Sequence, residues 1–291
     1  MIELGTLIGE PVSHGFFVRA LVAGILVGTV CAVVGTYVVL KGLAFIGDAI
    51  SHAAFPGIVA SYILGAPYLH GAAIAAVATA LGIGYVTRRA RIRTDTAIGV
   101  LFAGTFAFGI FLFSTIHAYV GDLFSFLFGY LLAISADDLL ALGILSGLVL
   151  AVVIVLWKEL LYATFDPLGA AASGLPVARL DDLFLALIAL TIVVSLQAVG
   201  IILVVAMLVT PAATAQLLTV RFGALMRIAI ATSIVAVVVG LYLSYWLDVA
   251  SGATIVLVET AGFLVALALG PRTGLLARRA RARAEARPAT A

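Results

Sequence analysis

Between Asp182 and Arg221 the sequence carries no charged side chain. A helix crosses the hydrocarbon of a bilayer in roughly 20 apolar residues. The stretch is therefore too long for one pass and too apolar for a surface element. It reads as two passes, or as one pass and a re-entrant piece, broken around Gly200 or Pro211. Further apolar runs lie at 16–40, 43–65, 69–86, 96–116, 139–157, 228–247 and 254–269, with a shorter one at 123–134. Of the 291 residues, 64% are hydrophobic and 10% charged, whereas a soluble domain carries about a quarter charged residues. Gly24 and Gly28 in the first run have the GxxxG spacing that lets helices approach closely in lipid. The expected fold is all-α, a polytopic transmembrane helical bundle of about eight or nine segments, some of them broken or re-entrant.

Basic residues set the expected orientation, because cytoplasmic loops are enriched in Lys and Arg. They gather at Arg88, Arg89, Arg91 and Arg93, in the polar loop 158–182, and from Arg272 to Arg287. An even number of passes must separate each pair of these regions. Three runs precede Arg88, so the N-terminus is expected outside with nine passes, or eight if one run is re-entrant. The chain divides into a transmembrane domain, 1–271, and a basic cytoplasmic tail, 272–291. Residues 1–15 include acidic side chains and lack a basic region followed by an apolar core, so no cleavable signal peptide is expected. The lone cysteine, Cys31, lies in an apolar run, which excludes an internal disulfide and any cysteine metal motif.

Ionisable groups inside apolar runs are costly and mark candidate sites. Asp48 and His52 are four residues apart, on one face of a helix and one turn apart. A carboxylate and an imidazole so placed can ligate a divalent transition metal. They could equally be a buried hydrogen-bonded pair that ties helices together. Pro56 lacks an N–H, so the carbonyl of His52 loses its helical partner and the helix can bend there. Glu259 is the other deep carboxylate, either paired with a polar group on another helix or acting as a proton or metal relay. Gln197 reads as an interhelical hydrogen-bond donor, and His14, His70 and His117 as residues near span ends. In 165–176, Asp166 suits an N-cap, Pro167 the first helical position and Gly174 the stop, with Pro176 beyond. A helix this short is unstable alone and needs a partner.

These segments resemble the permease subunits of the metal-type (zinc, manganese, iron) bacterial ABC importers along nearly the whole chain. The resemblance is carried by Gly47-Asp48-Ala49-Ile50-Ser51-His52-Ala53, Thr94-Asp95-Thr96-Ala97-Ile98-Gly99, Phe165-Asp166-Pro167 and Gly174-Leu175-Pro176. Ser195-Leu196-Gln197-Ala198-Val199-Gly200, Val209-Thr210-Pro211-Ala212-Ala213-Thr214-Ala215, and Leu247-Asp248 with Ser251-Gly252-Ala253-Thr254 complete it. It implies a multi-pass protein of the bacterial cytoplasmic membrane, paired with a second copy of itself. It also implies two ATPase subunits on the cytoplasmic side and an extracytoplasmic metal-binding protein that delivers the ion. Asp48 and His52 would line the path and contact metal. Asp166, Pro167, Leu168, Ala171, Gly174 and Leu175 would form the coupling helix docked on the ATPase.

No GxxxxGK[ST] motif occurs, which suits a permease subunit that is not itself an enzyme and leaves ATP hydrolysis to a partner. No permanently bound cofactor and no nucleic-acid partner are expected. A carboxylate and an imidazole disfavour copper, which prefers sulfur, and calcium or magnesium, which prefer all-oxygen shells. Manganese, iron and zinc remain. The run 204–211 looks more like the manganese-type members, which places manganese first and zinc second. Two rival readings are an ion-coupled secondary metal transporter and a non-transporting membrane scaffold.

Overall fold

The computed structural model describes residues 9–116, 129 and 131–270. His117, most of the run 123–134 and the tail 272–291 lie outside the described residues. Ten α-helices make up nearly all of what is described. They are α1 (Gly15–Leu40), α2 (Ile46–Leu64), α3 (Tyr68–Ala90), α4 (Thr94–Ser114), α5 (Ala136–Val155), α6 (Trp157–Phe165), α7 (Pro167–Ala172), α8 (Val177–Leu218), α9 (Phe222–Leu247) and α10 (Ser251–Leu269). Seven of the described helices are long and apolar enough to cross a membrane. α2 falls outside that set because Asp48, His52 and Pro56 dilute its apolar character.

α8 has 42 residues, which as a straight helix would measure about 63 Å against a hydrocarbon core of about 30 Å. It does not run straight. Lys41 meets Asp181, Tyr37 packs on Phe184, and the Cys31 sulfur lies 3.9 Å from the Ser195 hydroxyl. Up to Ser195, then, α8 runs antiparallel to α1. A straight continuation would carry Leu208 about 20 Å beyond Ser195. Instead the Leu208 carbonyl sits against Gly35, back along α1. The reversal is at Gly200, whose φ of 79° and ψ of 168° suit only glycine. Pro211, the other expected break, lies inside the returning limb. The uncharged stretch thus lies in a helical hairpin with limbs 177–199 and 201–218.

The ion pairs Lys41–Asp181 and Arg88–Asp182 place the end of α1, the end of α3 and the start of α8 on one basic face. From there the passes alternate. α1 arrives at this face and α2 leaves it, α3 returns and α4 leaves. α5 starts on the far face, where Arg19 of α1 donates to the Ile134 carbonyl just before it and Gln197 to Asp138. The two limbs of α8, then α9 and α10, continue the alternation; counting α2 and both limbs of α8, the described residues make nine traverses.

Close packing in this bundle rests on small residues, as lipid-exposed helices require. A Cβ at Gly24 would stand 2.7 Å from a Val237 methyl, and one at Gly28 2.7 Å from the Ser233 hydroxyl, so the GxxxG pair joins α1 to α9. The stretch 158–182, expected as a polar loop holding one short helix, is mostly helical. α6 follows α5 almost directly and buries Leu160 and Ala163, while α7 buries Ala170.

Candidate functional site

α2 buries Ile46, Gly47, Ala49, Ile50, Ser51 and Ala53 among its neighbours, packing most extensively on α3 and α4. Asp48 and His52 fall on its remaining face. The Asp48 side chain is 50% exposed and that of His52 27%. The imidazole is held from the side by α4, with the rings of Phe102 and Phe106 at 5.4 and 5.2 Å, both steeply inclined to it. Sequence reasoning missed these two aromatics, although their spacing of one helical turn in the run 96–116 was visible.

Asp48 Oδ1 and His52 Nε2 are 3.6 Å apart, beyond hydrogen-bond reach. The reading of Asp48 and His52 as a hydrogen-bonded tie is therefore not what the geometry shows. Two ligands each about 2.1 Å from a tetrahedral ion would stand about 3.4 Å apart, so one ion can bridge them with little adjustment. Among the described residues no group of three or more His, Cys, Asp or Glu converges anywhere. Asp48 and His52 thus stand as a pair, with no third such side chain beside them among the described residues. His52 Nδ1 is buried without a hydrogen-bond partner.

α7 has the predicted caps. Asp166 Oδ1 accepts from the Gly169 N–H at 2.8 Å, Pro167 opens the helix, and Gly174 takes a φ of 89°. Ala170 is buried, but Leu168 is 83% exposed at the basic face and Ala171 is exposed as well. Leu168 and Ala171 thus face outward from this six-residue helix.

Gln197 does bridge helices, its Nε2 donating to Asp138 Oδ1 at 3.0 Å. Glu259 does not. It is 5% exposed, and neither carboxylate oxygen has a hydrogen-bond partner among the described residues. It lines a cleft of about 440 Å³ between the returning limb of α8, α9 and α10. The hydroxyls of Thr214 and Thr232, on the same cleft, donate to carbonyls of their own helices. The helix-to-helix pair expected for Glu259 is not formed there.

A polytopic helical bundle with an ionisable pair, Asp48 and His52, on one face of a helix, and a capped short helix at its basic face, has the build of the membrane-spanning subunit of a transporter. The chain belongs to the ABC 3 transport family, which matches residues 13–270. It is 45% identical over 280 residues to the manganese transport system membrane protein MntC of Halalkalibacterium halodurans, covering 96% of this chain and 95% of that protein. It is 43% identical to the chelated iron transport system membrane protein YfeD of Yersinia pestis, over 92% of this chain and 90% of the relative. Among solved structures it superposes on PsaBC from Streptococcus pneumoniae in complex with Fab. There the TM-score is 0.83 and the identity 35%, with 95% of this chain and 99% of the other covered.

Proposed function

We propose that this chain is the permease subunit of an ATP-driven importer that moves a divalent transition metal, manganese before zinc, across the cytoplasmic membrane. The observation that carries this is the Asp48–His52 pair, 3.6 Å apart with no hydrogen bond between them and partly open at the surface of the chain. An ionisable pair facing lipid is costly, so this face needs a cover that is not lipid. A second copy of the chain, bringing its own Asp48 and His52, would supply one and complete two oxygen and two nitrogen ligands. That set suits tetrahedral zinc, or manganese with added waters. The names of the relatives, manganese and chelated iron systems, support the ion class.

Positive charge on loops favours the cytoplasm, so the face with Lys41, Arg88 and α7 is read as cytoplasmic and the tail 272–291 follows it. Two ATPase subunits would dock there on α7 through Leu168 and Ala171, with Asp166, Pro167, Gly174 and Leu175 fixing the helix and its exit. A metal-binding protein would deliver the ion at the far face. Glu259 is given no step in the passage of the ion.

The test is uptake of manganese by cells or proteoliposomes carrying Asp48→Asn or His52→Ala. Each is expected to reduce uptake to background while the subunit still inserts and assembles with its ATPase. Wild-type uptake by both variants would remove the site.

A further inference from the structure

Four charged residues at the basic face are absorbed by neither the metal site nor the docking helix. Asp181 and Asp182 are consecutive, in the second turn of α8, and consecutive helical residues point to different neighbours. Asp181 Oδ1 accepts from Lys41 Nζ at 2.8 Å, and Asp182 Oδ1 accepts from Arg88 at 2.7 Å. The Lys41 ammonium is the most sheltered of the four, with a side chain 15% exposed and the Phe184 ring 5.8 Å away. Gly84, one turn before Arg88, makes room for the second pair. A Cβ there would lie 3.3 Å from Asp182 Oδ1 and 2.7 Å from a Leu185 methyl.

The two cations sit at equivalent places. Lys41 caps α1 and opens the short turn into α2, which carries Asp48 and His52 in its first two turns. Arg88 lies in the last turn of α3 and precedes the short turn into α4, which holds the His52 ring through Phe102 and Phe106. Both helices that frame the metal pair thus hang from turns anchored to one spot on α8. That spot follows α7 after only the turn 173–176.

We propose that Asp181 and Asp182 are positioning residues that pass the movement of α7 to the metal pair, through Lys41 to α2 and through Arg88 to α4. This rests on the reading of α7 as the segment docked on the ATPase. A shift of α7 tilts the start of α8, and the two ion pairs pull both turns together, so ligand and aromatic wall move as one unit. Stability alone does not require this arrangement, since partly exposed ion pairs contribute little.

The experiment uses the complete transporter, with ATPase and binding protein, in proteoliposomes. It reads manganese moved per ATP hydrolysed, and crosslinking of Leu168→Cys to the ATPase. Asp181→Asn/Asp182→Asn is expected to keep the crosslink and ATP hydrolysis, while manganese moved per ATP falls at least about tenfold. The exchange Lys41→Asp/Asp181→Lys, made with Asp182 intact, is expected to restore what Asp181→Asn loses. Unchanged manganese per ATP in the double asparagine variant would overturn the proposal. So would loss of crosslink and hydrolysis together, which marks the pairs as structural, or an assembled exchange variant that rescues nothing. Absence of the Leu168 crosslink in an otherwise wild-type chain would instead refute the docking of α7.

Discussion

Asp48 and His52 could be picked out of the sequence because their cost in an apolar run is large and their spacing of four fixes a shared face. What the spacing could not give is the 3.6 Å separation, or the clamp of Phe102 and Phe106 on the imidazole. Glu259 is the opposite case. The same cost suggested a partner, yet both oxygens are unpaired in a cleft whose threonines already donate elsewhere. An ionised carboxylate left so would cost several kcal/mol. Glutamine has the same shape without that charge. Glu259→Gln is therefore expected to insert, assemble and take up manganese at the wild-type level, measured as initial uptake rate. A tenfold loss would instead make Glu259 an ion-handling group. The partners Lys41 and Asp181 were invisible for a simpler reason: they are 140 residues apart in sequence, and nothing local to either announces the other.

Among the elements, α7 was the most legible, because its caps are local chemistry: Asp166, Pro167 and Gly174 appear in order and act as their types dictate. The hairpin of α8 was legible as a length conflict but not in its place, since Gly200 and Pro211 both break helices and only packing against α1 decides between them. α6 escaped notice because the charges around it hid the few apolar positions, Leu160 and Ala163, that seat it. On the proposed docking of α7, Leu168, which is 83% exposed, is the side chain that meets the ATPase. Cysteines at Leu168 or Ala171 are expected to crosslink to the ATPase. Ala171→Glu is expected to leave ATP hydrolysis running while uptake falls, because a charge is forced into an apolar contact. No crosslink at any position from Leu168 to Leu175 would count decisively against docking.

For the molecule as a whole, apolar runs and basic loops together gave eight or nine alternating passes, and left open the break in the long uncharged run and the side of the N-terminus; the described residues make nine traverses. Choice of ion belongs at this scale, since Asp48 and His52 accept manganese, iron or zinc, and zinc binds such ligands more tightly than manganese. Cells lacking this chain, grown in metal-poor medium and measured by mass spectrometry, are expected to lose manganese with zinc unchanged. The reverse result would assign zinc. One buried atom decides how readily such work can be done. Cys31 is fully enclosed between α1 and α8, its sulfur against Ser195, and an enclosed structural thiol is inert. Maleimide and methanethiosulfonate reagents should therefore pass the native protein by. Every engineered cysteine becomes the sole label acceptor without prior removal of the natural one, and the spectroscopic background starts near zero.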